Sequence, residues 1–89
     1  MQQRLVARLE IFREGDLYVG LCRDLEVSSF GETIEEAKQS LIEALGAFLE
    51  ECEAMGTLEE VLEEAGFVLQ EGQWLPRQPV AAELVAFGE

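Results

Sequence analysis

The pattern over residues 33–56 most restricts what this chain can fold into. Thr33-Ile34-Glu35-Glu36 has the order of a capping box. In such a box the threonine hydroxyl accepts from the amide three residues on, and the glutamate reaches back to the cap amide. The early glutamates also suit the positive end of a helix dipole. Apolar residues then recur at Ile34, Ala37, Leu41, Ala44, Leu45, Phe48, Leu49, Cys52 and Met55. That spacing makes one stripe along an α-helix. Glu35, Gln39, Glu43, Glu50 and Glu53 fall on the opposite face. Gly56 supplies the left-handed residue that closes many helices. Such a helix is roughly 35 Å long at about 1.5 Å per residue, and its stripe must be covered by another layer. Gly46 inside it is expected to cost about 1 kcal/mol relative to alanine and to admit a neighbouring backbone.

The residues before the helix read as that layer. Residues 4–13 alternate, with Leu5, Ala7, Leu9 and Ile11 on one side and Val6, Arg8, Glu10 and Phe12 on the other. This period of two predicts one strand. Glu14-Gly15-Asp16 is a tight turn, because glycine and aspartate tolerate positive φ. Residues 17–22 return antiparallel, Leu17, Val19 and Leu21 facing one way and Tyr18, Gly20 and Cys22 the other. Gly20 in mid-strand predicts a close neighbour or a bulge. Residues 23–26 are a polar link, residues 27–30 a third short strand, and Gly31 its end.

After Gly56, Thr57-Leu58-Glu59-Glu60 repeats the capping-box order. Leu58, Val61, Leu62 and Ala65 then predict a short amphipathic helix ended by Gly66. Residues 67–70 and 73–75, joined by Glu71-Gly72, read as a hairpin with Trp74 as its anchor. Pro76 and Pro79 bracket a loop, and residues 80–87 alternate again as a final strand. The expected organisation is a core over residues 1–56 and a helix–hairpin extension over 57–89 within the same single domain.

Composition limits function. In 89 residues, 19 acidic side chains face six basic ones, a net charge of −13. Between Lys38 and Arg77 every charge is negative. Such a surface repels a phosphate backbone, so direct nucleic-acid binding is not expected, whereas a basic partner would be attracted and its encounter sped. No apolar run approaches the ~18 residues of a membrane span. Met1-Gln2-Gln3-Arg4 lacks a leader's layout, which points to the cytoplasm. A chain this short buries only about 60% of its unfolded surface, a shortfall that self-association often relieves.

Chemistry-bearing constellations are sparse. Histidine is absent, so no Ser-His or Cys-His pair exists. Ser28-Ser29 has no neighbouring base. Cys22 and Cys52 lack zinc-ligand spacing and read as buried thiols, with a disulfide or redox pair as the alternative. Asp16 and Asp24 are the only aspartates and occupy turn-like positions. No glycine-rich phosphate cradle follows a strand. No catalytic residue, metal ligand or cofactor is expected, and the chain is read as a binding protein rather than an enzyme.

The run Leu17-Tyr18-Val19-Gly20-Leu21-Cys22-Arg23-Asp24-Leu25, followed by Ser28-Ser29-Phe30-Gly31-Glu32-Thr33-Ile34-Glu35-Glu36-Ala37, resembles the signature of HicB-type antitoxins. The resemblance covers residues 4–55 and is most specific over 31–37. It implies a βββα core, a degenerate and non-catalytic relative of the ribonuclease H fold, and self-association through that core. It also implies neutralisation of a small basic HicA-type ribonuclease. Arg23 stands where the family has proline, and Glu26-Val27 where it has Pro-Gly. Residues 57–89 lack the basic residues and paired helices of the family's DNA-binding domain, so operator binding does not carry over.

The expected fold is therefore α+β: a three-stranded antiparallel sheet packed on one long helix, with a C-terminal short helix and β-hairpin. The expected function is antitoxin-like sequestration of a small basic toxin. The alternative is a stand-alone HicB-like homodimer or larger homo-oligomer with no toxin. The residues expected to meet a partner are Asp16, Tyr18, Asp24, Ser29, Glu32 and Trp74. A ribonuclease H-like nuclease is disfavoured, because two aspartates do not make a two-metal site.

Overall fold

The computed structural model describes residues 3–88. Met1 and Gln2, on which the leader reading partly rests, and Glu89 lie outside that range. In chain order the elements are β1 (Arg4–Leu5), β2 (Glu10–Glu14), β3 (Leu17–Cys22), β4 (Val27–Gly31), α1 (Ile34–Met55), α2 (Leu58–Glu64), β5 (Val68–Gln70) and β6 (Gln73–Leu75). The fold is α+β. Strands β2-β3-β4 form an antiparallel sheet that packs on α1. Strands β1-β6-β5 form a second small sheet, in which β1 runs parallel to β6. No helix among the described residues is long and apolar enough to cross a membrane.

Helix α1 starts and stops where its sequence signals lie. Thr33 Oγ1 accepts from the Glu36 amide at 3.0 Å. The Glu36 carboxylate accepts from the Glu32 amide at 3.3 Å, one residue before the expected cap amide. Gly56 closes the helix at φ 74°, donating to the carbonyls of Cys52 and Glu53. Ala37, Leu41, Leu45 and Cys52 are buried. Ile34 and Met55, at 56% and 67% exposure, overhang the layer beneath, so the covered stripe is shorter than the apolar pattern.

Gly20 and Gly31 let the helix lie this close to the sheet. A Cβ on Gly20 would sit 3.0 Å from the Ala37 carbonyl oxygen and 3.1 Å from Leu41 Cδ2. A Cβ on Gly31 would sit 2.5 Å from the Ala37 nitrogen. Gly20 thus has the close neighbour its mid-strand place predicts. Gly46 has none: it is exposed with nothing within 4 Å, so the expected backbone approach does not occur there.

The core joins both halves of the chain. Cys22, Leu25, Leu41 and Leu45 cluster with Leu62 of α2, Phe67 and Trp74 of β6. Leu41 and Leu62 are fully buried, and each such leucine stabilises the fold by about 1.5–3 kcal/mol.

Three sequence expectations are corrected. The single strand over 4–13 is two, because residues 4–6 run beside β6 while residues 10–14 run beside β3. Leu5, Ala7 and Leu9 nevertheless all pack against the core. The second capping box does not form: Thr57 Oγ1 donates back to the Cys52 carbonyl at 3.4 Å, since only Gly56 and Thr57 separate the helices. Residues 80–87 are not a strand. They would have to continue β6 along the edge of β2, but Pro76 and Pro79 have no amide to donate to a ladder. The chain leaves the sheet there instead.

Candidate functional site

Two surfaces stand out from the folded chain, one apolar and one acidic. The apolar surface is the side of the β2-β3-β4 sheet opposite α1. Register places Phe12, Val19 and Phe30 in one row across the three strands. Tyr18, Gly20 and Cys22 alternate onto the helix side of β3, which leaves Leu17, Val19 and Leu21 on the open side. Phe30 is 64% exposed and Phe12 42%. Aromatic and branched side chains paired across strands normally stabilise a sheet by packing, yet Phe30 is left open here and Phe12 has the Arg23 guanidinium beside its ring.

At one end of the row the sheet meets a cavity of about 450 Å³ lined by Arg8, Glu10, Arg23, Asp24, Arg77, Gln78 and Pro79. Arg23 donates to Glu10 Oε1 at 2.7 Å, and its guanidinium carbon lies 5.8 Å from the Phe12 ring centroid. Arg8 donates to the Arg77 carbonyl at 2.9 Å and to Gln78 Oε1 at 3.1 Å, with Asp24 Oδ2 3.8 Å away. Arg8 therefore ties the segment after β6 to the start of β2. Beyond that tie the chain diverges, and the cavity is the gap it leaves.

The acidic surface is the outer side of the helices. Glu35, Glu43, Glu50 and Glu51 of α1, and Glu59, Glu60, Glu63 and Glu64 of α2, are all exposed. The ion pairs beside the cavity engage carboxylates of β2 and the β3–β4 turn rather than these glutamates. Lys38 is the one basic residue on either helix. The like charges therefore act together as a negative field.

The sequence-derived partner residues do not gather in one place. Asp16, in the β2–β3 turn, and Glu32, after β4, are exposed at one end of the sheet. Tyr18 and Ser29 are half-buried on its helix-facing side. Asp24 lies in the turn at the other end, lining the cavity. Trp74 is 5% exposed in the core, its Nε1 donating to Gln3 Oε1 at 3.0 Å. It serves as the hairpin's anchor. Sequence reasoning did not single out Phe12 and Phe30. Their signal was present, since apolar residues occur on both alternating sides of β2 and β3.

Cys22 and Cys52 are free and buried. Burial pushes the Cys22 thiol above its ordinary range, partly offset by the backbone amides of Leu25 and Asp24. A neutral, enclosed thiol is a poor nucleophile. Among the described residues no three acidic or cysteine side chains converge as a metal-binding group. The chain matches no family model, no curated protein and no solved structure.

Proposed function

We propose that this chain is an antitoxin-like binding protein that holds a small basic ribonuclease of the HicA kind in an inactive complex. The observation that carries the reading is the exposed acidic side of α1 and α2 in a chain of net charge −13. A basic protein meets there a field that speeds encounter and fixes orientation. The resemblance of residues 17–37 to HicB-type antitoxins supports the reading, and the β2-β3-β4-α1 order is the arrangement that resemblance implies. In this reading the chain acts in the cytoplasm, binds no nucleic acid directly and catalyses nothing itself.

The test is capture by the tagged full chain from its native lysate at low and then moderate salt. The expected result is a small basic protein, released by salt, whose RNA cleavage stops when one equivalent of the chain is added back. A captured protein whose nuclease activity the chain leaves unchanged refutes the reading.

A second reading is favoured by the Phe12–Val19–Phe30 row, where Phe30 is left open: a stand-alone homodimer or larger homo-oligomer. Exposed apolar patches on small soluble chains commonly mark protein contacts. Self-association by sedimentation, with no basic partner captured, would select this reading over the first.

A further inference from the structure

The segment after Pro79 is the second uncovered apolar element of the molecule. Val80, Leu84 and Phe87 are 105%, 104% and 92% exposed, and Val85 is 60% exposed. Residues 80–87 still carry strand-like alternation, with Val80 and Leu84 on one side and Val85 and Phe87 on the other. An element apolar on both sides suits a strand covered on both faces. Alone in water it has no means of satisfying that pattern.

The position of the segment says what could cover it. It leaves the fold at Pro79, in the cavity lined by Glu10 and Arg23, at the start of β2. Strand β2 is an outer strand of its sheet, and among the described residues nothing pairs with its free edge. Its Phe12 belongs to the open apolar row. The β1–β6 register, Arg4 opposite Gln73 and Leu5 opposite Trp74, would bring the segment alongside its own β2 if extended. The two prolines break that continuation. A free edge, an open apolar face and an unpaired apolar arm thus meet at one corner of the same chain.

We infer that residues 80–87 form an exchange arm: the arm of one copy adds as a strand to the free β2 edge of a second copy, its apolar side chains packing beside Phe12 at that edge, reciprocally. The inference rests on the homo-oligomer reading and names the element responsible. Strand addition satisfies the idle backbone groups of both partners. The reach is sufficient, since eight extended residues span about 26 Å and the five of β2 about 17 Å. The size is sufficient as well. A fully exposed eight-residue segment presents on the order of 1,200 Å². Covering half of each of two arms already reaches the ~1,200 Å² lower bound of a specific interface. Because each arm starts beside its own β2, a two-fold arrangement of adjacent β2 strands makes both exchanges at once.

Sedimentation equilibrium of the full chain and the Leu84→Asp variant tests this, with Phe30→Asp, two strands away from the β2 edge, as the control expected to keep the wild-type dissociation constant. Leu84 and Phe30 are exposed within the protomer, so both variants keep its circular dichroism. The expected result is a wild-type dimer whose dissociation constant rises about a hundredfold in Leu84→Asp, each of two lost leucine contacts counting about tenfold. Mixing a Phe12→Cys chain with a Leu84→Cys chain under mild oxidation should give a cross-linked dimer, because the native thiols are buried. A wild-type dimer indifferent to Leu84→Asp overturns the arm and leaves the homo-oligomer reading standing. A chain that stays monomeric overturns both. A Phe12→Cys, Leu84→Cys double variant that cross-links within one chain at high dilution shows the arm closing on its own sheet, and overturns the exchange.

Discussion

Replacing Gly31 by alanine tests the contact between sheet and helix that orients both candidate surfaces. The added Cβ would sit 2.5 Å from the Ala37 nitrogen, 2.6 Å from Glu36 Cβ and 2.7 Å from the Glu36 carbonyl carbon. Two of these atoms are backbone in the first turn of α1 and cannot rotate aside. The helix start must move off β4, which also strains the Thr33 cap. Overpacking of this kind costs about 1–3 kcal/mol, and the backbone neighbours place Gly31→Ala near the upper end. With a urea slope of about 1 kcal/mol per molar for a small chain, the midpoint should fall by about 3 M. Gly20→Ala meets its neighbours at 3.0–3.2 Å, a few tenths of an ångström further than at Gly31, and one of the three, Leu41 Cδ2, is a side-chain end that can rotate. Its loss should be smaller, about 1 M in midpoint. Gly46→Ala meets nothing within 4 Å and should raise the midpoint by about 0.5–1 M through helix propensity alone. Equilibrium urea denaturation followed by circular dichroism measures all three. A Gly31→Ala midpoint within 0.5 M of wild type, or a Gly46→Ala loss as large as that of Gly31→Ala, would refute the packing argument.

Other consequences are local. Thr33→Ala removes the acceptor of the 3.0 Å bond from the Glu36 amide and should cost about 1 kcal/mol, whereas Thr33→Ser should cost little; urea midpoints decide. Glu26 holds φ 56° in the β3–β4 turn, a conformation costing a non-glycine residue about 1 kcal/mol, so Glu26→Gly should stabilise by roughly 0.5–1 kcal/mol, and a loss would refute the strain. The buried Cys22 thiol stays neutral in the fold at a pH where the unfolded thiol ionises. Its contribution is therefore complete below the unfolded value of about 8.5 and is lost as pH rises towards the folded value, by at most about 1.4 kcal/mol per pH unit. Cys22→Ala should flatten the fall in stability between pH 8.5 and 10; an unchanged slope assigns the fall to other groups.

What the sequence disclosed is what local chemistry determines. The cap at Thr33, the stop at Gly56 and the long apolar stripe are set by residues within a few positions of each other. So is the β5–β6 turn, where Glu71 and Gly72 both take positive φ, as a two-residue hairpin of that kind requires. The division of residues 4–14 between two sheets was not legible, because β1 pairs with a strand some 69 residues away. Alternation reports that a strand has two sides but not which side is covered. In β3 the side with Leu17, Val19 and Leu21 reads as the more apolar, yet α1 packs on Gly20 and Cys22, because only a side without bulk admits a helix so close. Residues 80–87 show the converse: a strand pattern without a partner in the chain does not make a strand.

The two surfaces occupy opposite sides of the protomer, and this bears on how the two functional readings relate. Association through the open sheet face would leave the outer glutamates of α1 and α2 uncovered. A dimer so formed carries twice the −13 charge and presents two acidic flanks, so a basic partner would be held at two sites rather than one. The electrostatics of the two contacts have opposite sign. Added salt screens the repulsion between like protomers and strengthens self-association, while the same salt weakens attraction to a basic partner. One salt series on the isolated chain and on its mixture with a basic partner therefore separates the contacts. Exclusive use of one surface would show as competition, with partner binding dissociating the dimer. Independent use leaves the dimer intact as the partner is released.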